Sequence, residues 1–409
     1  MNKNLLTNEC PICNSKIQNE ILNLDCGKVD NSPIYQNVII KECGACGHIF
    51  NGLYEEDWKG LLQYYNEEYA LTNLSAPDKT GDRPGSESQN SIGRFEHLYS
   101  LTQKYITVDS KVLDIGCAMG GFLKHLKSKG LKLLNGIDFT ENFVEHSKNN
   151  KELNVKLGSA DNIPFNENEF DILYMDQVLE HLLKPRKAFQ EAGRVLKKGG
   201  YFCIGVPNAM NYSKNYIFDF FWFLMKEHIH HFDIKHLELL AQQEGFELLD
   251  YNLNDTPMMS ATSYLPNINA VFKLTNKIDV KHKKADSTFA LSNAIKKYIE
   301  VEFSKLSIKR EIIQKIRFTN NPLYIWGIGR EFLYLKQNTE LMKCNVIALI
   351  DGNEYKREQL SIDRIKIQDP KILSEAPKDS QLIITASSYS DKLKSLSIEL
   401  GFRGEIIEI

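Results

Sequence analysis

The sequence predicts an α/β protein in which a mostly parallel sheet lies between a small N-terminal module and a second, smaller α/β unit. Three observations predict this arrangement. A short apolar strand runs directly into a glycine-rich turn at residues 112–121, two Cys-x-x-Cys pairs stand near the N-terminus, and a second strand precedes a Gly-x-Gly turn near residue 327. Apolar strands that alternate with helical stretches are typical of parallel sheets covered by helices.

Length and composition are those of an ordinary soluble globular protein. The chain has 409 residues, of which 42% are apolar and 25% charged, and its net charge of −3 gives no field that favours nucleic acid or an anionic membrane. The apolar run at 216–225 is interrupted by Asp219 and falls well short of the roughly 20 residues of a membrane helix. Residues 1–9 are polar. We therefore expect a cytoplasmic protein that binds neither nucleic acid nor membrane.

Four of the eight cysteines form two pairs with metal-ligand spacing. Cys10 and Cys13 form the first pair, Cys43 and Cys46 form the second, and 29 residues separate the two pairs. Thiolates are ligands that Zn²⁺ prefers, and four of them fill a tetrahedral site. Disulfides or uncoordinated thiols are the alternative, which fits poorly with a cytoplasmic protein. We expect a structural zinc site in a module spanning residues 1–55, because such a short module needs a metal to replace a core.

Residues 56–95 are expected to form a linker and an entry helix. The stretch 72–91 carries proline and glycine among polar residues, which is typical of a loop. Because this loop directly precedes the central sheet, it is either a lid over a substrate or a plain linker. A helix is predicted over 92–105.

The glycine-rich turn is the centre of the predicted fold. A strand at 112–115 is followed by Gly116, Gly120 and Gly121, and a helix begins near Phe122. Glycine tolerates positive φ and lets a ligand approach the backbone, while the helix N-terminus adds unpaired N–H groups. Such a unit usually holds a nucleotide or an adenosine-containing cofactor. A purely structural connection between strand and helix is the alternative.

Further motifs follow in an order that favours cofactor binding. A strand at 133–137 ends in Asp138, about twenty residues past the turn, where a carboxylate can hold ribose hydroxyls. A strand at 170–176 ends in Asp176, and a helix is expected to begin within 177–182. The Leu-Lys-Lys-Gly-Gly run at 196–200 then leads into a strand at 201–206.

With these motifs in order, the chain from about residue 95 to 251 resembles the class I S-adenosylmethionine-dependent methyltransferases, and the core is placed at 96–265. The resemblance implies that the Asp-x-Gly-x-x-x-Gly loop holds the methionine part of the cofactor and that the next acid holds its ribose. Ala118 stands where the family usually has glycine. A nicotinamide-dependent Rossmann enzyme is the alternative, and the Leu-Lys-Lys-Gly-Gly run argues against it. The residues implied to bind S-adenosylmethionine are Asp114, Gly116, Cys117, Gly120, Asp138, Phe139, Ala160, Asp161 and Asp176.

An aromatic and histidine-rich segment follows the strand at 201–206. Asp233 is predicted to cap a helix over 234–244, which Gly245 ends. The pair Glu227-His228 therefore falls in a loop at the C-terminal edge of the sheet, where ligands bind in such folds. The aromatic residues of 212–225 either shield a substrate or pack into the core.

The C-terminal third predicts a second unit. Residues 266–320 are expected to form a helical connection, and 321–409 a smaller Rossmann-like domain. Its first strand, 323–326, is followed by Gly327-Ile328-Gly329, and a later strand ends in Asp351. The Gly-x-Gly turn leaves nucleotide binding, substrate docking and a structural role open.

The whole chain resembles a narrower group, the bacterial nucleotide-sugar C-methyltransferases, which combine a four-cysteine zinc module, a methyltransferase core and a C-terminal Rossmann-like domain. These enzymes methylate C3 of a 4-keto-deoxysugar nucleotide. Their Glu-His-x-x-x-Phe motif falls on Glu227, His228 and Phe232, and the histidine of their Glu-His pair after strand four falls on His181. The resemblance implies that Glu227, His228, His181 and Tyr69 are catalytic. It also implies that the partner is a small sugar nucleotide.

Histidine suits this chemistry because a carbon beside a ketone becomes nucleophilic only after it loses a proton. We expect His228 to be the base, with Glu227 orienting its ring or capping the next helix, and His181 or a tyrosine to stabilise the enolate oxygen. Met225 departs from the family, which commonly has tyrosine there. The alternatives are O-methylation of a sugar and a non-catalytic cofactor-binding module. His228 bonded only to loop backbone is the structural alternative.

Overall fold

Three sheets organise the chain, one in each unit that the sequence predicts. The computed structural model describes residues 5–32, 37–74, 83–148, 153–214, 220–258, 263–275 and 289–409. Residues 75–82 of the predicted loop lie outside the described residues, and so do residues 215–219 of the aromatic segment. The predicted α/β fold class, with a Rossmann-like central sheet, is confirmed.

The N-terminal unit is a small antiparallel sheet followed by helical turns that lead toward the central sheet. Its fourth strand comes from the central unit, far along the chain, so the two units share one sheet. The elements are β1 (Gln18–Asp25), β2 (Asn37–Cys43), β3 (Ile49–Asn51), α1 (Glu55–Gln63), a π-helical turn (Tyr64–Tyr69) and α2 (Ala70–Leu74).

The central unit is a seven-stranded sheet with helices on both faces. Its elements are α3 (Gln89–Thr102), β4 (Lys111–Ile115), α4 (Gly121–Ser128), β5 (Leu133–Asp138), α5 (Glu141–Lys148), β6 (Asn154–Leu157), β7 (Phe170–Asp176), α6 (Pro185–Val195), β8 (Leu196–Pro207), β9 (His230–His231), α7 (Ile234–Gln243), β10 (Phe246–Met258) and β11 (Ser263–Leu274). β9 is the strand that joins the N-terminal sheet.

The strand order of the central sheet is β10-β11-β8-β7-β4-β5-β6. Strands β4 to β8 run parallel, and β11 runs antiparallel to β8. The chain therefore leaves β4 toward one edge and later returns to its other side, which makes the β4/β7 boundary the switch point where such sheets bind ligands. The glycine-rich turn lies there. Ile172, Leu173 and Met175 of β7 are all 0% exposed, because helices cover both faces of a parallel sheet.

Two boundaries differ from the sequence prediction. The helix expected within 177–182 is a single 3₁₀ turn, Leu179–His181, and α6 begins only at Pro185. Gln177 has a φ of 56°, which breaks a helix there, while proline suits the first position of the following one. The boundary at 265 falls inside β11, so residues 266–274, expected in a helical connection, complete the sheet. Asn267 and Asn269 are fully buried in this strand and bond to each other at 2.7 Å.

The C-terminal unit is a six-stranded sheet with the order β14-β15-β13-β12-β16-β17, parallel except at β14. The predicted smaller Rossmann-like domain is present. Its elements are α8 (Ala290–Thr319), β12 (Leu323–Trp326), α9 (Arg330–Asn338), β13 (Val346–Ile350), α10 (Glu354–Gln359), β14 (Ser361–Ile362), β15 (Ile365–Gln368), β16 (Gln381–Ile384), α11 (Ser390–Glu399) and β17 (Glu405–Glu408).

The aromatic segment before the Glu-His pair packs into a core. Phe220, Phe221 and Phe223 are at most 5% exposed and lie in one hydrophobic cluster with residues of α8. These rings therefore join the central and C-terminal units and do not line an open substrate surface. Across the described ranges, no helix is long and apolar enough to cross a membrane.

Candidate active site

The glycine-rich turn has the backbone shape that close approach of a ligand requires. Gly116 and Gly120 have φ values of 79° and 80°, and Gly120 is the N-cap of α4. A Cβ at Gly116 would lie 2.4 Å from Val178 Cγ2, so a larger residue does not fit. Ala118, at the position where the family usually has glycine, takes a φ of 44°. The turn thus keeps its left-handed conformation although one glycine is missing.

Asp138 at the end of β5 fixes this turn. One carboxylate oxygen accepts the Ala118 N–H at 2.9 Å, and the other accepts the Thr140 N–H at 2.9 Å. Burial raises the pKa of Asp138, whereas these N–H bonds lower it. Each oxygen keeps a second lone pair for a ligand hydroxyl. The residue therefore fits the predicted role of holding the cofactor ribose.

Two more carboxyl groups are buried beneath the turn. Asp114 is 4% exposed, and burial, followed by the charges of Asp176 and Asp138, raises its pKa to about 8. Asp176 forms an ion pair with Arg94 of α3, in which Oδ2 lies 2.9 Å from Nε. Burial raises the pKa of Asp176, and Arg94 opposes that shift. Arg94 is a site residue that the sequence analysis missed, because nothing local pairs α3 with the end of β7.

Raising the pH from about 5 to about 8 is expected to lower the free energy of unfolding through Asp114. The folded state keeps a proton up to a pKa of about 8, whereas the unfolded chain loses it near 3.8. One such proton gives a slope of about −1.4 kcal/mol per pH unit between these values. Urea denaturation of Asp114→Asn should show a shallower decline than the wild type. Equal slopes would contradict the raised pKa.

Of the remaining predicted cofactor residues, Cys117 lies in the glycine turn, and the other three follow β5 and β6. Phe139 is 38% exposed and meets Tyr65 edge-on at 5.5 Å. Ala160 is buried, and the exposed Asp161 accepts a hydrogen bond from Ser159 at 2.6 Å. Cys117 packs against Gly136, where a Cβ would lie 2.7 Å from its sulfur. All of these side chains stand near the same sheet edge as the glycine turn.

Residues on both sides of 75–82 cover the glycine turn. The Gly121 N–H donates to the Gly85 carbonyl at 2.8 Å, and a Cβ at Gly85 would lie 2.6 Å from the Met119 nitrogen. Tyr69 meets Phe143 edge-on at 6.1 Å, in a cluster that includes Ala118. Tyr69 therefore lies on the cofactor side of the site. Its predicted catalytic role remains a prediction.

Two histidines lie close together, the partly buried His181 in the 3₁₀ turn after β7 and the buried His228 in the loop before β9. His181 Nδ1–H donates to the Glu227 carbonyl oxygen at 2.7 Å, and the Tyr65 hydroxyl oxygen lies 3.1 Å from the same nitrogen. His228 Nδ1–H donates to the Phe223 carbonyl oxygen at 3.2 Å. The ring centroids are 5.0 Å apart. Burial lowers the pKa of both imidazoles, so both are neutral and each keeps its lone pair on Nε2.

Tyr65 and Arg330 are contacts that the sequence analysis did not find. The Glu227 carboxylate lies 3.7 Å from the Arg330 guanidinium, at the first residue of α9. Asp233 caps α7 as predicted, because its side chain accepts the His236 N–H at 2.8 Å. The alternative role of Glu227 as the cap of this helix is therefore excluded. The C-terminal domain therefore supplies a cation next to the Glu-His loop.

The four predicted metal ligands come together. The Cys10 and Cys46 sulfurs are 3.6 Å apart, those of Cys13 and Cys43 are 3.5 Å apart, and all four lie within 4.8 Å of one another. Tetrahedral Zn²⁺ with bonds of about 2.3 Å needs sulfurs about 3.8 Å apart. The Cys43 sulfur also accepts backbone N–H groups of Ala45 and Cys46 at 3.4 and 3.5 Å. The cluster fits a closed, structural zinc site.

The N-terminal module holds the loop that carries Glu227 and His228. β3 pairs with β9, and the Asn51 side-chain amide donates to the carbonyl oxygens of Met225 and Lys226 at 3.0 and 3.2 Å. Lys226 in turn is paired with Asp57 of α1 at 2.5 Å. The loop conformation therefore depends on the N-terminal module, which is a role for this module that the sequence did not indicate.

Comparison with known proteins agrees with this geometry. Residues 113–204 match the family described as "Methyltransferase domain". This match covers the last three residues of β4, most of β8 and everything between them. The chain therefore contains a class I S-adenosylmethionine-dependent methyltransferase domain, which is the catalytic domain of an enzyme.

The curated relatives match over this domain. Cycloartenol-C-24-methyltransferase 1 of Oryza sativa subsp. japonica is 30% identical over 127 residues, 29% of this chain and 37% of that protein. Cycloartenol-C-24-methyltransferase of Arabidopsis thaliana is 28% identical over 191 residues, which are 43% of this chain and 56% of that protein. A probable S-adenosylmethionine-dependent methyltransferase of Mycolicibacterium smegmatis is 27% identical over 142 residues, which are 34% of this chain and 55% of that protein. The matches thus span about half or less of these relatives.

Solved structures also align with part of the chain. An S-adenosylmethionine-dependent methyltransferase from Methanosarcina mazei aligns with a TM-score of 0.36 and 21% identity, over 43% of this chain and 97% of that one. The [4+2]-cyclase SpnF aligns with a TM-score of 0.40 and 13% identity, over 52% of this chain and 93% of that one.

Proposed function

We propose that this protein transfers a methyl group from S-adenosylmethionine to C3 of a 4-keto-deoxysugar nucleotide, by way of an enolate. The observation that carries the proposal is a pair of neutral imidazoles, the partly buried His181 and the buried His228, beside the cofactor turn. Val178, three residues before His181, lies against Gly116 of that turn. Tyr65 contacts both Phe139 and His181, and so links the cofactor side to the histidines.

In this proposal His228 Nε2 removes the C3 proton. Its Nδ1–H is bonded to the Phe223 carbonyl, which fixes the tautomer and the ring orientation. S-adenosylmethionine, when bound, supplies an electrophilic methyl group on a sulfonium. A base beside this methyl group generates the carbon nucleophile in place, so alignment of the two reactants contributes much of the acceleration.

The enolate oxygen needs a hydrogen-bond donor. We assign this role to Tyr65, because His181 Nδ1–H points at the Glu227 carbonyl and the Tyr65 oxygen, which leaves the Tyr65 O–H free to turn toward a substrate. Neutral His181 offers only a lone pair at Nε2. Its role here is therefore to position Tyr65 and to exclude water.

The C-terminal domain supports an acceptor that carries a nucleotide. The Gly327–Gly329 turn lies at the switch point between β12 and β16, and Asp351 accepts the Ile328 N–H at 3.0 Å, as Asp138 accepts that of Ala118. A Cβ at Gly329 would meet no described heavy atom within 4 Å. The next residue, Arg330, contacts Glu227. A second nucleotide-type turn therefore stands next to the catalytic loop.

O-methylation of a sugar is the second candidate. Met225 is the observation that favours it, because this residue lies where the resembling family commonly has a tyrosine, and its sulfur contacts Arg330 at 2.9 Å. In that case His228 would remove a hydroxyl proton.

Proton exchange at C3 distinguishes the two candidates. The enzyme is incubated with a 4-keto-deoxysugar nucleotide and S-adenosylhomocysteine in deuterated water, and the C3 proton is followed by NMR. We expect exchange of the C3 proton that depends on the enzyme. When S-adenosylmethionine replaces S-adenosylhomocysteine, we expect a C3-methylated product. Formation of a methylated sugar whose C3 proton never leaves would overturn the carbon-transfer proposal and support O-methylation.

Replacing Asp138 with alanine is expected to weaken S-adenosylmethionine binding at least tenfold. A charge-assisted hydrogen bond to a ribose hydroxyl contributes roughly 1.5–3 kcal/mol, and the Ala118 N–H also loses its acceptor. Calorimetry measures the dissociation constant. Asp109→Ala, which removes an exposed carboxylate paired with Lys132, is the control that should leave it unchanged. An unchanged constant in Asp138→Ala would place the ribose elsewhere.

Replacing Asn51 with alanine is expected to lower kcat at least tenfold while the affinity for S-adenosylmethionine stays the same. The change removes the donor for two buried carbonyls in the loop that carries His228, and each unsatisfied group costs about 1–3 kcal/mol. Asn37→Ala, in an exposed position of the same sheet, is the matched control. Wild-type turnover by Asn51→Ala would show that the loop holds its shape unaided.

A further inference from the structure

Glu180 is a buried carboxylic acid that the proposed reaction does not use. It is 1% exposed, and neither carboxylate oxygen has a hydrogen-bond partner among the described residues. Burying an unpaired carboxylate is costly, so such a group either holds a proton or lies beside a cation. Burial raises the pKa of Glu180 well above its usual range.

Two imidazoles converge on this carboxylate. One oxygen of Glu180 and one ring nitrogen each of His181 and His228 all lie within 4.8 Å of one another. His181 Nε2 lies 3.8 Å from Glu180 Oε1. These atoms are the donor set of a facial site with two histidines and one carboxylate, which leaves further positions of a metal ion open.

Both histidines are held in the manner of metal ligands. A ligating histidine usually donates its other N–H to a carbonyl or carboxylate, which orients the ring and keeps the lone pair on the ligating nitrogen. His181 donates from Nδ1 to the Glu227 carbonyl, and His228 donates from Nδ1 to the Phe223 carbonyl. Nε2 is therefore the available nitrogen in both rings.

We propose that Glu180, His181 and His228 bind a divalent first-row transition-metal ion. Bonds of about 2.0–2.2 Å need donor atoms about 3.3 Å apart, so the three groups must approach by roughly 1.5 Å at most. Glu180 and His181 lie in a 3₁₀ turn and His228 in a loop, outside any sheet, so side-chain rotation can supply this movement.

The surrounding charges favour a cation. The two arginines that act on these groups each have an anionic partner: Arg94 pairs with Asp176, and Arg330 pairs with Glu227. With neutral imidazoles, an ionised Glu180 leaves the cluster with one uncompensated negative charge. A divalent ion would displace the Glu180 proton to solvent and give the ligating oxygen a partner.

Metal binding and proton abstraction compete for one lone pair. The ion takes His228 Nε2, the atom that the proposed function assigns to the C3 proton. This consequence rests on the proposed function, whereas the binding itself does not. An occupied site therefore blocks C3 exchange, and the ion acts as a reversible inhibitor of the base.

Cobalt tests the site separately from the four cysteines. The protein, with zinc already bound at its cysteines, is titrated with Co²⁺ and followed by absorption spectroscopy. We expect the protein to bind one further equivalent of Co²⁺. The absorption spectrum of this bound ion should show weak d–d bands and no thiolate charge-transfer bands. Glu180→Gln and His228→Gln should each weaken this binding at least tenfold. His125→Gln, which alters a histidine of α4 beside Glu96, is the control that should leave it unchanged.

Each outcome separates the site from the reaction. Absence of the second equivalent, or binding that Glu180→Gln leaves intact, overturns the metal site and leaves the proposed function untouched. Binding accompanied by proportional loss of C3 exchange, reversed by a chelator, supports both. Binding with unchanged or faster exchange overturns the competition and the assignment of His228 as the base, while the metal site stands.

Discussion

Replacing His228 with glutamine is expected to slow both C3 proton exchange and methyl transfer by about 10²–10⁴-fold, the usual contribution of a general base. Glutamine is similar in length and can donate to the Phe223 carbonyl that holds the ring, but it has no basic nitrogen. The affinity for S-adenosylmethionine should stay unchanged, because the hydrogen bond of His228 goes to Phe223 and its ring contacts are with His181 and Trp222. On the same preparation, NMR measures the rate of C3 proton exchange and calorimetry measures the affinity for S-adenosylmethionine.

The pH dependence gives a second check on His228. Burial, followed by the neighbouring His181 and His231, holds the pKa of His228 well below 6.5, so the free base persists in mildly acidic solution. The acid limb of the exchange rate is therefore expected below pH 6.5. His125→Gln serves as a control that alters a histidine outside the site. Full exchange in His228→Gln, or an acid limb above pH 7 in the wild type, would contradict the assignment.

Replacing Cys43 with serine is expected to abolish zinc binding and to loosen the N-terminal sheet. Structural zinc sites contribute apparent binding free energies of about 10–16 kcal/mol in zinc-finger peptides, and the small sheet has little core to replace this. Because β3 pairs with β9 and Asn51 holds the Glu-His loop, loss of zinc should also expose amides near His230. Metal analysis should fall from one zinc per chain to none, and hydrogen exchange should accelerate at β3 and β9.

The matched control for Cys43 lies in the same module. Cys26 stands outside the four-cysteine cluster, so Cys26→Ser should retain its zinc. A double variant, Cys10→Ser with Cys43→Ser, removes one ligand from each pair. Full zinc content in that variant would rule out the site.

Much of the fold follows from local patterns. The two Cys-x-x-Cys pairs, the glycine turn after a buried strand, and the cap at Asp233 each depend on residues that are close in the sequence or on fixed ligand spacing. The backbone conformation at such places is set by sterics and by hydrogen bonds within a few residues, so a sequence pattern is sufficient to predict it. Asp138 is in the same class, because it accepts the Thr140 N–H in its own turn.

The composition of the active site depends on contacts between distant segments. Asn51 meets Met225 across 174 residues, His181 meets Tyr65 across 116, and Arg330 comes from another domain to Glu227. The sequence placed Asp138 and Asp176 at the ends of strands, and Glu227 and His228 in a loop after β8. Only the tertiary structure decided that Tyr65 lies at the histidines and Tyr69 near the glycine turn. It also decided that Glu180 is buried with no hydrogen-bond partner among the described residues. The reason is that periodicity fixes the face of an element, whereas the partner of a side chain depends on how whole elements pack.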